Sequence, residues 1–367
     1  MNAPMMLSEF RQPVPKMRAV ALDGLSGLID IVAERSPPSH RFLRYQWFAA
    51  ALSAYGGRVR TIVVEADGEP VIALPMIRLG PGLARFAAMP GSYWPFRSFP
   101  ADATIGQDAF ELLIRTLGRE VNAMRIGPVC DDDPSAMRLI AAARAGGWTV
   151  LDRFIGDNFV LDMDALFDSG RPRTSTLRKN RYLQKTLARH GAIEWQYLTG
   201  QKLDGGAFDT LAAIEQRSWI AARTDGSDAK FTTKDHGAFW RSAATDPVIA
   251  DMLHATVLRV GGEPAAFSFD IDTVDLKYVI ANSFDAVFAK SSPGKLLWYH
   301  NLDAARAEGI RMVDWGAGDS GYKQVIGAEQ GAAIRDWLLV RPGLPALLGR
   351  MLKRLWERSG VTQKVTH

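Results

Sequence analysis

The stretch "DWGAGDSGYK" (residues 314–323) packs two carboxylates, three glycines, a phenol and an ammonium into ten positions. The apolar run "IRMVDW" leads into it and reads as a strand. Asp319, Tyr322 and Lys323 therefore crowd an acid, a phenol and an ammonium beside a strand's carboxyl end. Open α/β sheets bind ligands at such ends. Gly316 and Gly318 suit the same place, because a residue without a side chain lets a ligand approach the backbone. Capping of a short helix by Asp319 is the competing reading.

Gly316, Gly318 and Gly321 also spell G-x-G-x-x-G, and Asp336 lies twenty residues past the first of them. That is the outline of a dinucleotide fingerprint. It stands at the wrong end of the chain, because a Rossmann unit needs further strand–helix units after its glycines. Only 46 residues follow Gly321, enough for a short helix, a strand and a terminal helix. The dinucleotide reading is rejected.

One element earlier, "AKSSPGKLLWY" (289–299) offers a helix start. Ser291 or Ser292 is the N-cap, Pro293 suits the first turn and Gly294 presents a bare amide. A helix N-terminus of this kind binds anions, and Lys295 adds a charge for phosphate. It is not a Walker A loop: the upstream glycine is missing, and Leu296 stands where a metal-binding hydroxyl belongs. An ordinary well-capped helix is the alternative.

The elements that must position these groups come in two copies. "RTIVVEADGEPVIALPMIRL" (60–79) reads as a hairpin around Asp67-Gly68, and "HATVLRVGGEPAAFSFDID" (254–272) as another around Gly261-Gly262. Both carry Gly-Glu-Pro at the turn exit, at an offset of 194. Each is followed by a helical stretch (107–121 and 294–309) and then by a strand ending in glycine, "AMRIGPV" and "RMVDWGAG", at an offset of 189. Colinear landmarks predict a tandem repeat of one α/β unit. Where the second copy has its Tyr-Lys turn the first has "IGPVCDDDPS", so the first copy is expected to be catalytically silent.

Between the copies, "GRPRTSTLRKNRYLQKTLARHG" (170–191) holds seven Lys or Arg from Arg171 to Arg189 and no acid. The spacing of Leu183 and Leu187 predicts a helix. Its face is either a phosphate-binding element or a solvated connector. Whole-chain numbers agree with a globular protein: 367 residues, 47% apolar, net charge +4. The single Cys130 rules out an internal disulfide or a cysteine-based metal cluster. The six histidines are scattered, and nothing points to a metal. No apolar run approaches a membrane span, and the N-terminus lacks a signal peptide's core, so a cytoplasmic location is expected.

This order of parts resembles the GNAT acyltransferases, in the double-domain BioF2-like, CelD/BcsL-type branch related to the FemABX aminoacyl transferases. The resemblance rests on "SSPGKLL", on "VDWGAGDSGYKQVIG", on the "IEQRSW" helix (214–219) and on the basic helix, and it covers residues 40 to 340. It implies tandem GNAT-like mixed sheets flanked by helices. The implied parts are an extension (1–39), a degenerate domain (40–169), the basic helix (170–192), the acyltransferase domain (193–341) and an amphipathic tail (342–367). It also implies acyl transfer from acetyl-CoA or another acyl-CoA, without a metal, to an amine or hydroxyl of a small-molecule or glycan acceptor: a sugar, polysaccharide or cell-envelope precursor.

Under that resemblance Ser291, Ser292, Gly294 and Lys295 hold the diphosphate. Asp319 is the first candidate base and Asp314 the second. Tyr322 is the acid, and Lys323 matches a lysine near the acyl donor. Glu215 and Trp219 line the acceptor cleft together with Gly316 and Gly318. The usual Q/R-x-x-G-x-G/A phosphate signature is degenerate here, with Lys290 at its start and only Gly294 left. The same-chemistry alternative draws its acyl group from aminoacyl-tRNA held by the 171–189 segment. The non-enzymatic alternative is a glycan-assembly protein. A basic amphipathic helix over 343–358 packs on its own domain or lies on an anionic membrane.

Overall fold

The computed structural model describes residues 15–91, 97–218, 229–318 and 321–343, with the single positions 345, 353, 354, 356 and 357. The first half contributes β1 (Met17–Asp23), β2 (Val59–Ala66), β3 (Glu69–Leu79), β4 (Phe86–Ala88), β5 (Ala123–Cys130) and β6 (Thr149–Asp162). The second contributes β7 (Ile193–Thr199), β8 (Leu253–Val260), β9 (Glu263–Asp272), β10 (Leu276–Phe284), β11 (Met312–Ala317) and β12 (Glu329–Val340). Helices α1 (Leu28–Arg35), α2 (Tyr45–Tyr55), α3 (Gln107–Glu120), α4 (Pro134–Ala145) and α5 (Met163–Asp168) come first. The basic segment forms α6 (Thr174–Leu187). After it come α7 (Gly205–Gln216), α8 (Asp235–Ala243), α9 (Pro247–Met252), α10 (Pro293–Ala307) and α11 (Tyr322–Ile326).

All twelve strands join one mixed sheet in the order β1-β2-β3-β4-β5-β12-β6-β11-β10-β9-β8-β7. Among the described residues, only β4–β5 and β10–β11 pair in parallel. The order is symmetric about the antiparallel β6–β12 pair. It shows that the halves have exchanged their sixth strands: β12 lies beside β5, and β6 lies beside β11. The repeat is visible down to its irregularities. Each hairpin turns through two residues of positive φ, Asp67-Gly68 (51° and 89°) and Gly261-Gly262 (61° and 84°), as two-residue turns between twisted strands require. Each register shifts at the residue just after the Gly-Glu-Pro proline, Val71 opposite Val64 and Glu65 and Ala265 opposite Leu258 and Arg259. Proline cannot donate to a ladder, so a bulge at that point accommodates it. That accounts physically for the repeated motif.

Residues 1–39, expected as an extension, include β1 and α1. β1 pairs with β2 along its whole length, so the first half begins ahead of residue 40. The helix of residues 343–358 falls almost wholly outside the described residues. Among those described, no helix is long and apolar enough to cross a membrane.

The largest apolar core runs through both halves. Trp47 of α2, fully buried, meets the rings of Phe239 (4.8 Å) and Trp240 (5.8 Å) of α8 edge-on. A second cluster lies beneath α10, where Leu302 and Ala305 cover Val313, Trp315, Phe159 and Leu161. A third docks α6 onto α10 through Leu183, Leu187, Leu296 and Leu297. Alternation along β11 thus puts Val313 and Trp315 under α10 and turns Met312 and Asp314 to the opposite face.

Each half's sixth strand lies beside the other half's fifth strand, so neither half has its own sixth strand next to its own fifth in the whole chain. Residues 1–169 or 170–367 expressed separately should be insoluble or melt without cooperativity, and co-expression should restore a one-to-one complex. A lone half that unfolds cooperatively would show that its own sixth strand can return beside its fifth and that the exchange is not required for stability.

Candidate functional site

β10 and β11 hydrogen-bond in parallel only over Leu276–Tyr278 and Met312–Asp314. Beyond that point β10 bulges between Val279 and Ala281 but stays on β9. β11 shifts register between Asp314 and Ala317 and follows β6. The two strands therefore diverge, and a wedge opens between them. Gly316 and Gly318 take positive φ (69° and 76°), which bends β11 away at little steric cost. The glycines serve this bend and not a dinucleotide. Asp336, where a ribose acid was to be sought, is wholly buried beneath Arg125 and Arg153.

Asp314 stands at the apex of the wedge. Its Oδ1 accepts the Gly316 N–H (2.7 Å) and its Oδ2 accepts Asn158 Nδ2–H (2.9 Å). Burial pushes its carboxyl up to about 6, although Asn158, the Gly316 N–H and Lys323 all pull the other way and the Asp132 charge adds to the rise. Such a group changes charge near neutrality, as a general base must. Protein surrounds Asp314, yet it keeps accessible surface because that surface faces a cavity of about 320 Å³.

Both halves build this cavity. Asp314, Met312 and Tyr278 come from β11 and β10, Asn158 from β6, Cys130 and Asp132 from the end of β5, and His40 and Phe42 from the loop before α2. Burial holds the Tyr278 hydroxyl and the Cys130 thiol well above their usual ranges, so both stay neutral. His40 is tied down, its Nε2 facing Asp133 Oδ2 at 3.1 Å and its Nδ1 facing Ser39 Oγ at 3.0 Å. Asp133 in turn caps α4 by accepting the N–H groups of Ser135 and Ala136 (3.1 and 2.8 Å).

The other mouth of the wedge opens at the start of α10. Ser292 is the N-cap at φ 47°, but its hydroxyl makes no capping hydrogen bond, and Ser291 is buried. The N–H groups of Lys295 and Leu296 bond the Ser292 carbonyl (3.0 and 3.2 Å). Gly294 is needed for packing as well as for its amide. A Cβ there would come 2.9 Å from Asn282 Oδ1 and 3.2 Å from the Phe284 ring. Asn282 Nδ2, a donor at this same corner, is buried without a partner. Burial and then the nearby Lys179 charge pull the Lys295 ammonium below the ordinary lysine value. The basic helix thus lies beside the α10 N-terminus. Among the described residues, none of the seven cations from Arg171 to Arg189 forms an ion pair.

Lys323 is buried and donates to the carbonyls of Gly316 (2.9 Å) and Ala317 (3.0 Å). It fastens the bent end of β11. Tyr322 is stacked on Trp298 (3.9 Å between centroids, 17°) and edge-on to Trp315. Glu215 does not line the cavity. It is buried and accepts the backbone N–H groups of Lys230 (2.8 Å) and Phe231 (3.1 Å), which holds the chain against α7. Gly318 donates its N–H to the Asp157 carbonyl (2.9 Å). Asp319 and Trp219 lie outside the described residues.

The first half has a matching parallel pair, β4–β5, ending at Ala88 and Arg125. Arg125 falls where the repeat puts Asp314. Its Nε and one terminal nitrogen bond both oxygens of Asp336 (3.0 and 2.6 Å), which Arg153 also holds. An ion cluster fills this place, and no base stands there.

A group of His254, Asp272 and Glu308 has metal-ligand geometry among the described residues. Both oxygens of Asp272 already accept Lys277 Nζ–H (2.7 and 2.6 Å), so the group reads as part of a buried ion pair.

Residues 174–324 match the family model of the acetyltransferase (GNAT) domain. That span holds the wedge, α6, the α10 start and the bent end of β11. Among solved structures, FemX superposes with a TM-score of 0.60 at 13% identity, over 92% of this chain and 100% of that one. A Bacteroides thetaiotaomicron VPI-5482 protein of unknown function gives 0.55 at 13%, over 87% and 99%. The C-terminal DUF2156 domain assigned to a lysylphosphatidylglycerol synthetase from Agrobacterium fabrum gives 0.53 at 14%, over 90% and 96%. At such identities the likeness is one of fold, and it spans both halves. The architecture is a tandem GNAT-like sheet, and the acetyltransferase family match over residues 174–324 supports a transferase. No curated protein sequence matches the chain significantly.

The Asp314 geometry has a stability signature. Folding raises this carboxyl above its unfolded value, so the native state favours the protonated form. Its contribution to stability is present below about pH 4 and is lost as pH rises through about 6. Asp314→Asn should therefore be as stable as the parent at pH 4 and more stable at pH 8, by about 1–3 kcal/mol for a rise of this size. Urea melts at the two pH values measure it. A variant less stable at pH 8 would show that the carboxylate is a net structural tie.

Proposed function

We propose that this protein transfers an acyl group from a coenzyme A thioester, lodged in the β10–β11 wedge, to a nucleophile held in the inter-half cavity. The observation that carries this reading is Asp314, a carboxylate poised near neutrality where the wedge meets the cavity. The donor's diphosphate lies at the α10 N-terminus, where Gly294, Lys295 and the Asn282 amide meet the positive field of α6. Its pantetheine arm lies in the wedge, and N–H groups on the open edge of β10 point at the thioester oxygen. Asp314 takes a proton from the acceptor, the acceptor's lone pair forms the new bond to the acyl carbon, and the carbon–sulfur bond breaks. Tyr322 protonates the departing thiolate. Lys323 acts through the Gly316 and Ala317 carbonyls, as a positioning residue.

The finer resemblance to BioF2-like, CelD/BcsL-type transferases is kept as part of this proposal, with acetyl-CoA as the first donor to try. One observation favours a second reading: seven cations on and around α6 exceed what one coenzyme requires. An aminoacyl-tRNA donor, in keeping with the FemX-like fold, would use them all.

Asp314→Asn should lower kcat by about 10²–10⁴-fold while leaving the calorimetric Kd for acetyl-CoA within twofold. The parent's kcat/KM should rise with pH through about 6 as Asp314 ionises, and the variant should lose that limb. Lys295→Ala should weaken donor binding by about tenfold, the worth of one charge-assisted hydrogen bond. Absence of saturable acetyl-CoA binding sinks the first reading. Charged-tRNA affinity falling steeply with salt establishes the second, and salt-insensitive binding rejects it.

A further inference from the structure

The cavity around Asp314 is built for positive charge. Among the described residues four aspartates line it, and no lysine or arginine does. Two of the four are committed: Asp133 to His40, to Ser98 Oγ (2.8 Å) and to the start of α4, and Asp275 to Arg311 (3.0 Å). Asp314 and Asp132 remain. Asp132 comes from the first half, is exposed at the cavity rim, and forms no ion pair among the described residues.

A second observation is independent of the acids. Asn158 is only 3% exposed, and its Oδ1 has no hydrogen-bond partner although the residue lines the cavity. Its orientation is fixed chemically. The amide nitrogen must face the Asp314 carboxylate, because an oxygen there would be repelled. The oxygen is therefore left as an acceptor awaiting a donor, and a native fold keeps such a buried group for a partner that arrives. Donors from a ligand's ammonium satisfy Asn158 and neutralise the carboxylates together. The remaining wall mixes Phe42, Leu43, Leu276 and Met312, which suit methylenes, with the polar Ser39, His40, Ser98 and Tyr278. A volume of about 320 Å³ is at the small end of ligand pockets.

Resting on the transferase reading above, we infer that the acceptor is a small molecule bearing two amines. One nitrogen is acylated beside Asp314 and Asn158, and the other remains an ammonium read by Asp132. The reacting ammonium gives up one proton to solvent and passes a second to Asp314 as its lone pair bonds the acyl carbon, while the thiolate leaves with the Tyr322 proton. Partial burial, with the neighbouring Asp133 and Asp131 charges, pushes the Asp132 carboxyl above its usual value, and a second cation beside it would relieve that and favour the carboxylate. Acceptors carrying phosphate are repelled from the same walls. The silent half thereby acts as the selector, with Asp132 as the specificity-determining residue.

The test compares three acceptors of one length on the full chain with acetyl-CoA: 1,5-diaminopentane, 5-amino-1-pentanol and hexylamine. The diamine should show kcat/KM at least about tenfold above the other two, the worth of one charged pair. Asp132→Asn should bring the three within about twofold, through KM with kcat kept, and Asp132→Glu should restore the preference. Binding of the diamine without donor, followed by saturation-transfer NMR, should weaken in Asp132→Asn as well. Equal use of the three acceptors, or a preference that survives Asp132→Asn, overturns this inference and leaves the transferase standing. Diamine binding that depends on Asp132 without any acyl transfer keeps the cation site and removes the transferase reading. Neither binding nor transfer overturns both.

Discussion

Three residue pairs of parallel hydrogen bonding between β10 and β11, and their abrupt end at Tyr278 and Asp314, govern everything else in the site. A continued ladder would close the wedge and bury Asp314 against strand backbone. A ladder never begun would leave the carboxylate in water, with an ordinary pKa. The positive-φ glycines, the lysine fastened to two carbonyls and the bulge at β10 all serve to end the pairing at that point and hold the strands apart.

The exchange of sixth strands turns this local break into a two-sided site. β6 belongs to the first half by sequence, yet it delivers Asn158 to Asp314 of the second half. The end of β5 and the loop before α2 then complete the cavity. Charge is sorted across the sheet: among the described residues the cations of α6 form no ion pairs on one side, and the cavity aspartates lie on the other. A donor rich in phosphate and a cationic acceptor would be drawn to opposite mouths, so the two sites discriminate against each other's ligand.

Much of the scaffold could be read from the chain. The hairpins announce themselves through Asp-Gly and Gly-Gly turns, α6 and α10 through leucine spacing and capping residues, and the repeat through two colinear offsets. Asp314, Tyr322 and Lys323 were legible because they are neighbours in sequence. Asn158, His40 and Asp132 were not, since Asn158 meets Asp314 across 156 positions and only the strand exchange brings them together. The acid run at 131–133 was a visible cue, but without the cavity it reads as a solvated turn. The role expected of Glu215 shows the opposite error: a carboxylate on an amphipathic helix looked inward to backbone N–H groups and not to a ligand.

The exchange of strands also has a consequence for synthesis. When the ribosome has finished β5, the neighbour that β5 needs, β12, lies about 200 residues downstream. At roughly 5–20 residues per second, the edge of the first sheet stays bare for about 10–40 s. The nascent half is therefore a client for chaperones until the chain's far end emerges, and late truncation would strip β5 and β6 of the strand they share.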